Sequence, residues 1–346
     1  CIRERVIIVW GLVFLQTQES RTVTGNDANV KSSTSKLENN LTLHNSMQQN
    51  NLTNVKAKTQ LQKETEKISK NQFIGAFAGV SSNNIQFATS RGYANAFYRP
   101  FRLDSSLLIG DYQSYLNSIM IVKLVDEHKI SLSEQISKII PGLDTNKEIT
   151  VKDVLLSNGN FIVKKKYINR VAQPDSKMFK LSYIKNSNQS KGYVSADEII
   201  KSILVCKVLN STYSNAVEDL LVNKLGLSNT RIYQYGRGYA NDVKSFKYKK
   251  NKGVLLQQEQ VKTDEVYFGI NQLRMSVADI LLTTQSVLKN NYFPSEYNVL
   301  IKKVVRNSSL KMQYSSNMFI FNGHNLGQYI SIRSSSDGKK IVVGVA

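Results

Sequence analysis

A chain of 346 residues that is 41% hydrophobic and 9% aromatic holds enough apolar material for one sizeable core, even with a polar tail set aside. Lys and Arg number 46 against 26 Asp and Glu, and the resulting formal charge of +20 draws polyanions to the surface without dictating a fold. Cysteine occurs only at Cys1 and Cys206, and histidine only at His44, His128 and His324, which excludes a disulfide framework, a thiolate-rich metal site and a histidine ligand cluster.

No cofactor and no metal are therefore expected. Nucleic acid is not the expected polyanion either, because zinc-finger spacing, an aromatic RNA-binding signature and an arginine-dense reading helix are all missing. An anionic cell wall or membrane surface suits the charge better.

In chain order, Cys1-Ile2-Arg3-Glu4-Arg5 precedes an apolar run over residues 6–15, the layout of a signal peptide or N-terminal anchor. The run is too short for an ordinary membrane span, but attachment to a membrane through this end stays open. Residues 16–70 contain no Phe, Tyr, Trp or Pro and are dominated by Asn, Gln, Ser, Thr and Lys. Such a stretch cannot bury enough surface to fold, and it reads as a disordered polar tether. Residues 71–346 form the folded domain.

That domain opens with two strand-like runs, 72–80 and 85–93, around the turn residues Ser81-Ser82-Asn83-Asn84. Tyr115, Leu116, Ile119, Met120, Val122 and Val125 then recur at helical spacing, and the helix gives way near Glu127-His128-Lys129. Helical periods return over 216–225, closed by Gly226, and over 276–289. A closing hairpin, 328–333 and 340–345, turns at Ser336-Asp337-Gly338. Strands at both ends with helices between predict an α+β fold, an antiparallel sheet flanked by helices with a helical subdomain.

Four segments in order carry a family resemblance. They are Gly75-Ala76-Phe77 through Gly92-Tyr93-Ala94-Asn95; Ile109-Gly110 and the helix ending Lys123-Leu124-Val125-Asp126-Glu127-His128-Lys129-Ile130, with Ile149-Thr150-Val151-Lys152-Asp153-Val154-Leu155 behind it; Leu225-Gly226-Leu227-Ser228-Asn229-Thr230; and Gly269 through Leu273, Ser276 and Asp279. Together they resemble the serine β-lactamase and penicillin-binding-protein family, which also includes esterases and D-alanyl-D-alanine peptidases, and the resemblance spans residues 72 to 346. It implies that family's sheet-and-helix fold, a cell-wall setting and three catalytic motifs.

The first motif places a serine at a helix start and a lysine one turn later, so that the amine lies beside the hydroxyl it deprotonates. Here the corresponding stretch is Asp111-Tyr112-Gln113-Ser114, with aspartate at the serine position and Ser114 at the lysine position. An acidic side chain there is expected to cap the helix rather than attack an acyl carbon. The second motif, Tyr-x-Asn, aligns with Ile184-Lys185-Asn186, with Tyr183 one residue early. The third, a cation or histidine two residues before a glycine, aligns with Phe321-Asn322-Gly323, and His324 follows as an expected exposed loop residue. Ser-x-x-Lys also occurs at Ser33, Ser182, Ser286, Ser308 and Ser336; of these only Ser182 with Lys185 lies beside a motif position.

The expectation is a monomeric extracellular domain, secreted or anchored on a Gram-positive-type surface, that binds a cell-wall peptide or anionic wall polymer without cleaving it. The rival is a working serine hydrolase of the wall, of esterase, carboxypeptidase or β-lactamase type.

Overall fold

The computed structural model describes residues 74–94, 99–145, 148–172, 176–189, 191–234, 238–244, 246–249, 254–257, 266–307, 312–314, 317–325 and 327–346. The expected signal or anchor (1–15) and tether (16–70) lie outside the described residues.

Strand β1 (Gly75–Ser81) and strand β2 (Asn84–Arg91) form the first hairpin. Ser81 pairs with Asn84, which tightens the expected four-residue turn to Ser82-Asn83. Both have positive φ, 49° and 76°, the turn geometry whose twist matches that of the strands it joins. Short strand β3 (Leu107–Leu108) leads into helix α1 (Tyr112–Asp126), which stops where His128 turns to φ 55°. Helix α2 (Val151–Leu155) starts on a capping box: the Thr150 side chain accepts from Asp153 N, and Asp153 Oδ2 accepts from Thr150 N at 2.9 Å.

A small sheet follows, made of β4 (Phe161–Lys164), β5 (Ile184–Asn186) and β6 (Tyr193–Ser195) in the order β5-β4-β6. Helix α3 (Asp197–Leu209) precedes α4 (Tyr213–Val217), which continues through a π turn over Glu218–Val222 as far as Leu225 and ends on Gly226 in the left-handed region, φ 66°. Strands β7 (Arg231–Ile232) and β10 (Leu273–Met275) join β3 in the order β3-β10-β7, and β8 (Phe246–Lys249) pairs with β9 (Val254–Gln257) as a separate hairpin.

Helix α5 (Val277–Leu288) begins where the Ser276 side chain accepts from Asp279 N. The carboxylate of Asp279 then reaches back to the loop after α4, accepting from Asn229 N at 2.8 Å and Thr230 Oγ1 at 2.7 Å. Two of the recognisable sequence segments are thus two halves of one structural joint. Helix α6 (Glu296–Asn307) leads to β11 (Met312–Tyr314), β12 (Met318–Asn325), β13 (Gln328–Ser335) and β14 (Lys340–Val345).

The main sheet has six antiparallel strands in the order β11-β12-β13-β14-β1-β2, so the two ends of the domain meet at its centre, with Ala78 opposite Val343. Helix α5 packs on β14 and β1, and α1 is held between the sheet, α3 and α6. Tyr112 and Tyr115 of α1 lie against Phe321 and Phe319 of β12, ring centroids 5.4 and 5.8 Å apart, and all four are fully buried. The α+β expectation, an antiparallel sheet flanked by helices, holds.

Candidate functional site

Residue 111 stands between β3 and α1. Gly110 just before it has φ 52°, and a Cβ there would come within 2.8 Å of Asn325 Cβ. The missing side chain lets the start of α1 rest against the end of β12. The helix opens on i to i+3 bonds: Tyr112 N to Ile109 O, Gln113 N to Gly110 O and Ser114 N to Asp111 O, at 3.1, 3.0 and 3.2 Å.

Asp111 is exposed and already helical, φ −59° and ψ −20°, and its carboxylate makes no cap hydrogen bond. This corrects the expectation of a capping carboxylate. Capping needs an extended residue whose side chain folds back onto the next turn, and residue 111 lacks that backbone. Only the favourable interaction with the helix dipole is left. Ser114, one turn on, is half-buried. Among the described residues neither side chain makes a hydrogen bond or an ion pair.

What holds α1 in place is Gln113, a residue the sequence did not single out. Its side chain is 1% exposed; Oε1 accepts from Gln272 N at 2.7 Å and Leu273 N at 3.0 Å, and Nε2 donates to Tyr213 Oη at 3.0 Å. The network continues inward. Tyr213 Oη donates to Asn117 Oδ1 at 2.6 Å, and Asn117 Nδ2 donates to Gly269 O and Glu198 Oε2, each at 3.0 Å. Lys201, 1% exposed, donates to Glu198 Oε1 at 2.8 Å and to Ser118 Oγ at 3.3 Å. Burial drives the Tyr213 phenol well above its ordinary pKa, so it stays a neutral donor.

At the second motif position Ile184 is buried on β5 and Lys185 is exposed. Asn186 donates to Gly159 O, which ties β5 to the loop before β4. Tyr183 stacks on Tyr167, centroids 4.7 Å apart at 18°. Ser182 and Lys185 are both exposed and no hydrogen bond joins them.

At the third, Phe321 is fully buried against Tyr112. Gly323 leaves room for the Phe321 ring, which a Cβ would meet at 2.5 Å. His324 belongs to β12 rather than to a loop, and its ring lies on Tyr329, 5.9 Å away at 25°. Strand alternation sends it to the face opposite Phe321, so Asn325 and not His324 meets the start of α1. Asn325 Nδ2 is enclosed and has no hydrogen-bond partner among the described residues. Nothing in the sequence marks Asn325, since its role comes only from its contact with Gly110.

The described residues thus bring Asn325 against Gly110, the residue before Asp111, with Ser114 one helical turn on, and leave Ile184, Phe321 and His324 facing elsewhere or buried. The Asp111 carboxylate can accept hydrogen bonds, and Ser114 and Asn325 can both donate and accept them. Among the described residues no group of three or more His, Cys, Asp or Glu is placed to hold a metal ion, and no helix is long and apolar enough to cross a membrane.

No protein-family model matches the chain. Over 86 residues it is 29% identical to the teichoic acid D-alanine hydrolase of Staphylococcus aureus strain MRSA252, a stretch that is 24% of this chain and 21% of that protein. The chain therefore matches only 21% of the length of this curated relative. Crystal structures agree over far more of it. FmtA from Staphylococcus aureus superposes with a TM-score of 0.62 at 17% identity, covering 82% of this chain and 83% of that one. A penicillin-binding protein from Bacillus halodurans gives 0.60 at 13% identity, over 79% and 91%. The D-amino acid amidase of Ochrobactrum anthropi SV3 gives 0.60 at 10%, over 81% and 87%. At such identities the likeness speaks for architecture, and the architecture of this chain is the penicillin-binding-protein and β-lactamase fold.

Proposed function

We propose that this domain works at the outer surface of a Gram-positive-type cell, where it binds an anionic wall polymer and leaves it uncut. One observation carries the reading: the first turn of α1 offers the Asp111 carboxylate and the Ser114 hydroxyl, and no ammonium bonds to either among the described residues. Acyl transfer on this fold needs a hydroxyl deprotonated by a neighbouring amine. Attack by Asp111 would give a mixed anhydride instead of an ester, and Phe321 supplies no charge for a developing oxyanion. The local likeness to a teichoic acid D-alanine hydrolase supports a wall polymer as the ligand class.

A working serine hydrolase is the second reading, and it has one specific observation behind it, the 3.3 Å contact between Ser118 and Lys201. Burial disfavours it. Ser118 is 0% and Lys201 1% exposed, Ser118 Oγ already donates to Ser114 O at 3.1 Å, and Glu198 is the closer partner of the ammonium. Ser118 also lies two turns inside α1, away from the helix start.

The test is incubation of the chain with a fluorescent penicillin and, separately, with a nitrophenyl acetate ester, followed by intact mass. The expected result is an unmodified mass and ester hydrolysis at the buffer rate. A covalent adduct on Ser114, Ser118 or any other serine overturns the binding reading and establishes the hydrolase.

A further inference from the structure

Residues 161–195, a tenth of the chain, hold eight Lys and Arg and one acid, Asp175, a local charge of +7 out of the chain's +20. All eight cations are exposed, and none forms an ion pair among the described residues. The next acids, Asp197 and Glu198, bond to Phe161 N, Ser195 and Lys201 rather than to these eight cations, and a block this dense makes a lasting local field.

Three of the cations also rest on rings. On the small sheet Lys164 lies across from Tyr193, its Nζ 5.8 Å from the ring centroid, and the pairing of Lys185 with Ile162 puts Lys185 on the same face. Beyond β4, Lys166 and Arg170 sit 4.9 and 5.7 Å from the centre of the Tyr167 ring, which is itself stacked on Tyr183. Cations resting on rings lose less side-chain entropy when they bind.

We propose that the exposed cations of the small sheet and of the turn that follows β4 are the docking surface for a flexible phosphodiester polymer with a polyol backbone, each repeat bearing one negative charge. The partner class rests on the reading that the domain binds an anionic wall polymer. Nucleic acid fits less well, because base stacking needs open aromatic faces, and Tyr167 is occupied by Tyr183, Lys166 and Arg170 while Tyr193 is occupied by Lys164.

The experiment titrates the full chain with delipidated poly(glycerol phosphate) over a range of salt. Two variants with the same charge change are compared: Lys164→Gln, Lys165→Gln, Lys166→Gln in the patch, and the exposed Lys138→Gln, Lys152→Gln, Lys303→Gln elsewhere. All six positions are exposed, so folding should persist, and circular dichroism checks it. The patch variant should bind about tenfold more weakly, and its slope of log affinity against log salt should fall by about 2. The scattered variant should stay within about twofold. Equal losses in the two variants, or no loss in the patch variant, overturn the proposal. So does a single-stranded oligonucleotide of equal charge that binds as tightly as the polymer. A serine adduct in the penicillin assay would instead remove the uncut-ligand reading and leave this titration unaffected.

Discussion

Replacing Gln113 by Met keeps the length of the side chain but removes every hydrogen bond it makes. Gln272 N and Leu273 N, bonded to Oε1 at 2.7 and 3.0 Å, would then be buried without an acceptor. Each orphaned buried group costs about 1–3 kcal/mol. Tyr213 Oη keeps Asn117 Oδ1 as its acceptor at 2.6 Å, so losing the Gln113 amide costs it little. Methionine nearly conserves volume, which keeps any cavity term small. The expected loss is roughly 2–6 kcal/mol, a large part of the 5–15 kcal/mol typical of a domain. Urea unfolding followed by far-UV circular dichroism reads it as a lower midpoint with unchanged slope. A Gln113→Met protein within about 1 kcal/mol of the parent would refute the claim that this side chain anchors the start of α1.

Gly110→Ala should destabilise by about 1–3 kcal/mol, because it puts a Cβ at φ 52° and 2.8 Å from Asn325 Cβ; thermal melting checks it, and an unchanged melting temperature would mean that the α1 start and the end of β12 are not in contact. Asp279 gives a pH signature: burial raises its pKa from 3.8 to about 6, against the opposing pull of its bonds to Thr230 and Asn229. The folded state then holds this proton more tightly than the unfolded one, so the stabilisation is complete below pH 3.8 and is lost as pH rises through about 6, an effect of about 3 kcal/mol. Asp279→Asn should flatten the stability profile across that window, as measured by urea unfolding at a series of pH values, and an unchanged slope would show that the carboxyl is not responsible.

The hairpins and helices legible in the sequence are those whose causes are local. Ser82-Asn83 turns because both residues tolerate positive φ, and α5 starts at Ser276 because a serine three residues before Asp279 meets the cap requirement. Helix α3 has no such stripe: Ile199, Ile200, Ile203, Leu204, Val205 and Cys206 are all buried, and a helix packed on most sides shows no amphipathic period. Glu198 and Lys201 are spaced like an ordinary surface pair, yet Lys201 is buried and Glu198 half-buried because Asn117 and Ser118 arrive from α1, some 80 residues earlier in the chain. Gln113, Asn117, Tyr213 and Asn325 were illegible for the same reason. Each is a common polar residue whose importance comes from a partner distant in sequence.

Around residue 111 the side chains that fix the geometry are distinct from the one that meets solvent. Gly110 fixes the approach to β12, Gln113 ties the first turn to the strand at Leu273, and Tyr112 fills the core against Phe321. Asp111 takes no part in any of these contacts. Because its carboxylate bonds to nothing described and is exposed, the identity of residue 111 contributes almost nothing to folding, and the frame would present a serine there as readily as an aspartate. Fold and chemistry are therefore under separate physical control in this domain: Gly110, Tyr112 and Gln113 set the frame, and the side chain at residue 111 sets what that frame presents to solvent.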